Sequence, residues 1–294
     1  CKLLNINIKI ISGSSKASIK KEIINDLKDG KIDLIIGTHA LIYDGVQFNN
    51  LGLAIIDEQH KFGVAQRSKL WLKNKFPPHV LIMTATPIPR TLAMSVYGDL
   101  DMSIIDELPP GRKYIETFHQ TDRDRLKLIR FIKNQIHKGK QAYIVYPLIK
   151  ESEKLDFKDL LDGYESFSRD FPMPEYNISI VHGKMKNDEK ENEMKRFIEN
   201  KTQILVSTTV IEVGVDVSNA TVMVIESAER FGLSQLHQLR GRVGRGSDKS
   251  FCFLVTGHKK TKESIMRMET MVSTNDGFII AEKDLEIRGP GNLM

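Results

Sequence analysis

Two neighbouring carboxylates stand at the end of a short apolar run. Asp57 ends the run Leu53–Asp57, and Glu58, Gln59 and His60 follow it directly. If the run is a parallel strand, these side chains enter the crevice outside the carboxyl ends of the strands, where α/β folds bind ligands. One carboxylate of such a pair can hold a hydrated Mg²⁺, and the other can accept a proton from an attacking water. The alternative is a strand followed by an acidic helix start.

A second candidate site is the loop made of Thr84, Ala85 and Thr86, which also follows an apolar run. Its small hydroxyl side chains can form hydrogen bonds beside the carboxylates. Pro87 and Pro89 restrict the backbone where the chain leaves the loop. The alternative is a plain strand-to-helix turn, and the pattern alone does not separate the two.

A third candidate site begins at Thr208 and Thr209, which follow the predicted strand Ile204–Ser207. Gly214 allows the backbone to approach a ligand closely, and Asp216 can accept a hydrogen bond from a ribose hydroxyl. The alternative is a helix start that a strand-end hydroxyl caps.

The most specific pattern is a glycine-spaced run of three arginines, Arg240, Arg242 and Arg245. Arg242 and Arg245 would lie on one side of a helix terminus. Burying them unpaired would be costly. Facing a phosphate, they fit the role of an arginine finger, which is worth roughly 10³–10⁵ in rate. The alternative is an exposed basic turn.

The composition is that of a globular protein and excludes several other classes. A length of 294 residues predicts about two domains, at roughly 100–200 residues each. No apolar run approaches the roughly 18 residues that a transmembrane helix needs, and this sequence shows no signal-peptide pattern, so nothing points to secretion. The 2 cysteines form no C-x-x-C pair, which argues against a zinc site or a disulfide framework. We therefore expect a cytoplasmic protein that does not bind a membrane.

The elements that must position these residues alternate between strands and helices, which predicts an α/β fold with parallel sheets. Nine short runs rich in Ile, Val and Leu predict strands buried on both faces: Ile6–Ile11, Leu34–Gly37, Leu53–Asp57, Val80–Thr84, Ala142–Tyr146, Ile178–His182, Ile204–Ser207, Val222–Glu226 and Phe251–Val255. Two amphipathic helices are predicted between them: Asp122–Lys138, with Leu126, Ile129, Ile132 and Ile136 on its apolar side, and Asn187–Lys201, with Met194, Phe197 and Ile198.

The prolines and glycine of Leu108–Gly111 predict a domain boundary. The polar segment Glu151–Tyr176 is expected to be an irregular insertion. The predicted domains are residues 1–110, 111–256 and 257–294. The chain begins with Cys1 and has no clear helix stop at its end, so we expect a piece of a longer protein.

Together the motifs resemble those of superfamily 2 helicases, in order: motif II (Asp57–His60), III (Thr84–Thr86), V (Val206–Val217) and VI (Gln238–Arg245). More narrowly, DEQHKFGV with QR over residues 57–67 and TATPIPRTL over residues 84–92 resemble the RecG family of ATP-dependent DNA helicases. GTHALI over residues 37–42 and RGPG over residues 288–291 are also similar to that family. Gln59 favours it over the related transcription-repair coupling factor, which usually has Glu there, and Lys61 departs from its usual Arg.

The resemblance implies two RecA-like domains, the first of them truncated here, followed by the start of a helical hairpin and hook. ATP would bind between the domains. Asp57 would coordinate Mg²⁺, Glu58 would activate the water, and Arg242 and Arg245 would reach the γ-phosphate. The remaining implied residues are Gln59, His60, Gly214, Asp216 and Gln238 at the nucleotide, and Thr84, Ala85 and Thr86, which would relay the nucleotide state.

The resemblance also implies a DNA partner. The expected substrate is branched double-stranded DNA, such as forks and Holliday junctions, in recombination and repair. Because the contacts would be to phosphates, DNA binding should weaken steeply with salt. We also expect a monomer that is located at the bacterial nucleoid and has a single-stranded DNA-binding protein as a further partner. The candidate DNA contacts are Thr38, His39, Arg67, His182, Thr208 and Thr209.

Two other functions stay open at this point. An RNA helicase is disfavoured because such proteins mostly have other residues in and around motif II. A motor-like module that serves only as a binding scaffold is disfavoured because it would not need Glu58, Arg242 or Arg245.

The 294 residues contain no G-x-x-x-x-G-K-[ST] loop, whose backbone amides and lysine cradle the β- and γ-phosphates. We therefore predict that this chain by itself hydrolyses ATP negligibly. Phosphate release, measured with and without branched DNA and compared with the complete protein that contains the chain, checks this. A rate near that of the complete protein would contradict the prediction.

Overall fold

The structure, a computed structural model, describes residues 5–13, 15–38, 41, 45–57, 77–84, 101–147, 163–208, 217–257 and 261–289. The backbone forms two compact units, Cys1–Ala85 and Thr86–Met294. The domain boundaries predicted after residues 110 and 256 stay predictions.

In the first unit, the described strands form two parallel pairs. β1 (Ile8–Ile11) pairs with β2 (Leu34–Gly37), and helix α1 (Ala17–Lys28) connects them. β3 (Leu53–Ile56) pairs with β4 (His79–Ile82). A helical crossover is what lets consecutive strands run parallel. Among the described residues of this unit, Ile11, Ile23, Leu27 and Val46 form a small buried cluster.

The second unit is built on a six-stranded parallel sheet. Its strands are β5 (Glu116–Thr121), β6 (Gln141–Tyr146), β7 (Ile178–Val181), β8 (Ile204–Thr208), β9 (Ala220–Ile225) and β10 (Phe251–Thr256). They lie in the order β5-β10-β9-β6-β8-β7. Every residue of β8 and β9 is buried, as expected for central parallel strands covered on both faces.

Helices pack on both faces of this sheet. They are α2 (Arg125–His137), α3 (residues 163–170), α4 (Asn187–Ile198), α5 (Leu233–Arg240), α6 (Lys262–Ser273) and α7 (Gly277–Arg288). Ala142 and Ile144 of β6 pack in one core with α2 and α3, while Tyr143 and Val145 pack in the other with α4, α5 and α6. Successive side chains of a strand point to opposite faces, so one strand serves both cores.

Helices α6 and α7 form a hairpin whose two starts are capped by side chains. Thr261 Oγ1 accepts a hydrogen bond of 3.1 Å from the Ser264 amide, and Asp276 Oδ1 accepts one of 2.7 Å from the Phe278 amide. Each cap satisfies a backbone donor that the first helical turn leaves unpaired. This hairpin agrees with the one that the family resemblance implies.

The α/β fold with parallel sheets is confirmed, and each of the nine predicted strands corresponds to a strand within one or two residues at either end. β5 was not predicted, because its sequence ETFHQT is polar and lies at a sheet edge. The prediction that the strands are buried on both faces holds for the second unit. For the first unit this prediction is wrong, since Ile10, Leu34 and Ile55 are exposed.

Three predictions about the helical regions are wrong. Leu126 is exposed, and Leu128 lies on the buried side of α2 instead, because it stands four residues, about one turn, before Ile132 on the same face. Ile198, at the end of α4, is also exposed. Residues 163–176 are not an irregular insertion, since α3 and the turn after it bury Phe167, Phe171 and Tyr176 in the core.

Among the helices that the structure describes, none has the length and apolar character required to span a membrane.

Two leucines of α2 provide a matched test of this core. Leu128 is 1% exposed and Leu126 is 76% exposed. Leu128→Ala should lower the free energy of unfolding by about 2–5 kcal/mol, because it leaves a cavity. Leu126→Ala should change it by less than about 0.5 kcal/mol. Urea unfolding followed by circular dichroism compares the two, and equal losses would contradict the assignment of the buried face.

Candidate nucleotide and DNA sites

The candidate residues divide into those that the structure describes and those that lie outside the described residues. Asp57, Thr84 and Thr38 are described in the first unit, and His182, Thr208, Gln238, Arg242 and Arg245 in the second. Outside the described residues lie Glu58, Gln59, His60, Arg67, Ala85, Thr86, His39, Thr209, Gly214 and Asp216.

In the first unit, Asp57 and Thr84 follow two strands that pair in parallel. β3 ends directly before Asp57, β4 ends two residues before Thr84, and the Met83 amide donates a 2.8 Å hydrogen bond to the Ile56 carbonyl. The carboxyl ends of the two strands therefore meet at one edge, and both candidate side chains are exposed there. Thr38 directly follows β2, where it is exposed as well.

In the second unit, Arg242 and Arg245 lie on a turn at the end of α5. We call residues 241–250 the arginine loop. The Arg242 amide still bonds to the Leu239 carbonyl, and the chain then reverses at Gly244, whose φ is +73°. The Arg242 side chain is partly exposed and forms no hydrogen bond or ion pair with the described part of the chain. Arg245 is exposed, and its Nε donates to the Gly241 carbonyl at 3.4 Å.

The third arginine of the motif has a different role, which the sequence analysis missed. Arg240 is 2% exposed. Its Nη1 donates to the carbonyls of Met271 and Thr274 at 2.8 and 2.9 Å and to Thr117 Oγ1 at 3.3 Å. Arg240 therefore fastens the α6–α7 hairpin to α5 and β5. Its place on the leucine-rich side of α5, four residues after Leu236, is a signal that could have indicated burial.

His237 completes the surroundings of Arg240. Its Nδ1 lies 3.1 Å from Arg240 Nη2, and because a guanidinium can only donate, Nδ1 accepts. Burial and the positive charge of Arg240 lower the pKa of His237 to about 4. The imidazole is therefore neutral at pH 7, as this hydrogen bond requires. Gln238, the next residue of α5, is half-buried.

The arginine loop lies at the amino edge of the sheet, by which we mean the edge where the strands begin. The Glu116 amide, at the start of β5, donates to the Ser250 carbonyl at 3.0 Å. Lys140, directly before β6, forms a 2.7 Å ion pair with Asp248 of the loop. Both arginines of the loop are therefore held beside the starts of several strands.

His182 and Thr208 lie at the opposite, carboxyl edge, where β7 and β8 end next to each other. His182 is half-buried, and burial together with Lys190 and Lys184 lowers its pKa. Thr208 is 3% exposed. The candidate phosphate-binding arginines and the candidate DNA contacts of this unit therefore lie at opposite edges of one sheet.

A buried ion pair also stands at the carboxyl edge, and the sequence analysis did not find it. Arg125 Nη1 donates to Glu226 Oε1, directly after β9, and its guanidinium lies 4.6 Å from the centre of the Phe167 ring. Burial raises the pKa of Glu226, and Arg125 opposes that shift. The pair fixes the end of a central strand to the start of α2.

Comparison with known proteins shows which family the chain resembles. The DEAD/DEAH box helicase family matches residues 1–95, and the helicase conserved C-terminal domain matches residues 124–247. The ATP-dependent DNA helicase RecG of Synechocystis sp. is 52% identical over 292 residues, which are 99% of this chain and 35% of that protein. The RecG protein of Bacillus subtilis is 51% identical over 289 residues, which are 98% of this chain and 42% of that protein. RecG is therefore the family that the chain resembles over nearly its whole length.

A solved structure of RecG bound to a three-way DNA junction is 44% identical to this chain, with a TM-score of 0.74 over 99% of this chain and 37% of that one. The helicase Lhr of Mycobacterium smegmatis is 16% identical with a TM-score of 0.62, which supports the fold alone. The resemblance predicted from the motifs and the RecA-like α/β fold are thus confirmed. The chain spans about two fifths of the length of the relatives it matches.

The low pKa of His237 makes the stability of the chain depend on pH. The unfolded chain binds a proton at His237 near pH 6.5, whereas the folded chain does so only near pH 4. Acid therefore favours unfolding, and stability should fall as the pH drops from about 6.5 to about 4. His237→Asn keeps an acceptor in place of Nδ1 but cannot be protonated, so its stability should fall less over this range.

Urea midpoints of the wild type and His237→Asn at pH 7 and pH 5 check this prediction. Other acidic and basic groups titrate alike in both proteins, so they cancel in the comparison. The same loss of stability in both proteins would show that His237 is not the group responsible.

Proposed function

We propose that the protein containing this chain is an ATP-dependent DNA helicase or translocase that remodels branched duplex DNA, such as forks and Holliday junctions, in recombination and repair. One observation carries the proposal. Its similarity to RecG proteins extends over 98–99% of the chain, and one of those proteins was solved on a three-way DNA junction. Because the chain spans about two fifths of these relatives, activity belongs to the complete protein.

The chemistry of the first unit fits a magnesium nucleotide. Asp57 presents an exposed carboxylate directly after β3, and carboxylate oxygens are ligands that Mg²⁺ accepts. We assign Asp57 to the metal, which would neutralise phosphate charge when bound, and Glu58 to the proton of the attacking water. The residues proposed to contact the nucleotide are Gln59, His60, Gly214, Asp216 and Gln238, and those proposed to relay its state are Thr84, Ala85 and Thr86.

In the second unit, Arg242 and Arg245 are proposed to stabilise the negative charge on the γ-phosphate. The side chain of Arg242 forms no hydrogen bond or ion pair with the described residues, and that of Arg245 is exposed, whereas Arg240 is buried and bonded. A guanidinium that reaches the surface is accessible to a phosphate, to which it can donate charge-assisted hydrogen bonds. Domain closure around ATP and reopening after hydrolysis would then drive movement along DNA.

DNA contacts are proposed at Thr38, His39, Arg67, His182, Thr208 and Thr209. Lys184, Lys186 and Lys190 add positive charge beside His182, which suits contacts to phosphates rather than to bases. We further propose that the protein acts as a monomer at the bacterial nucleoid and that a single-stranded DNA-binding protein is one of its partners. The domain boundaries after residues 110 and 256 are also proposals.

Replacing one arginine tests the proposed chemistry. In the complete protein, Arg245→Ala should lower ATP hydrolysis stimulated by a three-way DNA junction by roughly 10³-fold or more. Binding to the junction should change little, because the arginine loop lies at the opposite sheet edge from His182 and Thr208. Arg130→Ala is the control, since Arg130 is exposed on α2.

The choice of nucleic acid separates the alternatives. Stimulation by RNA equal to that by the junction would favour an RNA helicase. Unwinding that survives Glu58→Gln would favour a binding scaffold. Full ATP hydrolysis by Arg245→Ala would show that this arginine does not act on the phosphate.

A further inference from the structure

The segment before β5 is bonded directly to the turn that carries the two candidate arginines. Arg112 Nε donates a 3.0 Å hydrogen bond to the carbonyl of Gly244, which lies 132 residues later in the sequence. Arg112 is half-buried. This hydrogen bond therefore attaches the segment before β5 to the arginine loop at a point between Arg242 and Arg245.

The turn at Gly244 is tightly fitted against the same segment. A Cβ atom added to Gly244 would lie 2.9 Å from Ile115 Cγ1, closer than side chains tolerate, and the φ of +73° also favours glycine. Ile115 and Val243 are both buried. The loop can therefore approach the segment only with glycine at this position, and the Arg112 bond forms across that close approach.

A pocket of about 370 Å³ opens beside this contact. One side consists of the segment that contains Arg112, and the other consists of the loop after Gly244. The lining residues are Pro109, Pro110, Gly111, Arg112, Arg245, Gly246 and Ser247. The two prolines restrict the backbone on the first side, so Arg112 donates from a chain segment with few alternative conformations.

We infer that Arg112 is a positioning residue for ATP hydrolysis, which holds the Gly244 carbonyl and so fixes the turn that presents Arg242 and Arg245 to the γ-phosphate. This inference rests on the proposed function. The bond to Gly244 sets the direction of the chain between the two arginines. A displacement of about 1 Å in a group that acts on a transition state can cost on the order of 10²-fold in rate.

Three variants of the complete protein test the inference. Arg112→Met matches the arginine side chain as far as the position of Nε but has no donor there, and kcat for junction-stimulated ATP hydrolysis should fall on the order of 10²-fold. Arg112→Gln carries an amide nitrogen at the position of Nε, so most of kcat should return without the positive charge. Lys140→Met is the matched control, because it removes a cation that binds the same loop at Asp248, outside the turn.

Two readouts separate positioning from a structural role. The KM for ATP should change much less than kcat, since the interaction is one that strengthens in the transition state. In a background of Arg245→Ala and Arg242→Ala, Arg112→Met should have almost no further effect on kcat, because it acts through those arginines.

The outcomes distinguish this inference from the proposed function. If the DNA junction stimulates hydrolysis by the wild type and Arg112→Met has full activity, the inference is overturned and the proposed function stands. Equal losses in Arg112→Met and Lys140→Met, or no rescue by Arg112→Gln, overturn it as well. A wild type without DNA-stimulated hydrolysis overturns both. If Arg112→Met unfolds, as thermal unfolding would reveal, the comparison of Arg112→Gln with the wild type decides.

Discussion

A buried guanidinium requires acceptors on every side, and this requirement at Arg240 determines how the second unit is assembled. The acceptors come from a strand, from the neighbouring imidazole and from the turn of the α6–α7 hairpin. Removing one of these partners would leave part of the buried guanidinium without a hydrogen-bond acceptor. The same hydrogen bonds therefore hold both the hairpin and α5, the helix that leads into the arginine loop.

The polarity of the parallel sheet gives the second unit two chemically different edges. Its amino edge carries the arginine loop, and its carboxyl edge carries His182, Thr208 and the Arg125–Glu226 pair. The rigid strands between the edges keep them at a fixed distance. Such a sheet keeps the candidate phosphate contacts apart from the candidate DNA contacts.

Most of the strands and helices could be predicted from the sequence, but fewer features of the candidate site could. Central strands could be predicted because they are runs of Ile, Val and Leu, and β5 could not, because an edge strand needs no such run. Spacing alone could not decide between Leu126 and Leu128, since each precedes a buried isoleucine by three or four residues. Arg240 and Arg242 differ only in their surroundings, so their different roles could not be predicted from residue type.

The hairpin is attached through main-chain oxygens at positions 271 and 274, not through their side chains. Every residue type has a main-chain carbonyl. The hydrogen bonds from Arg240 therefore constrain the path of the backbone at these two positions but not which residue types occupy them. The outer surface of the hairpin can therefore diverge among related proteins while its attachment to the rest of the second unit stays unchanged.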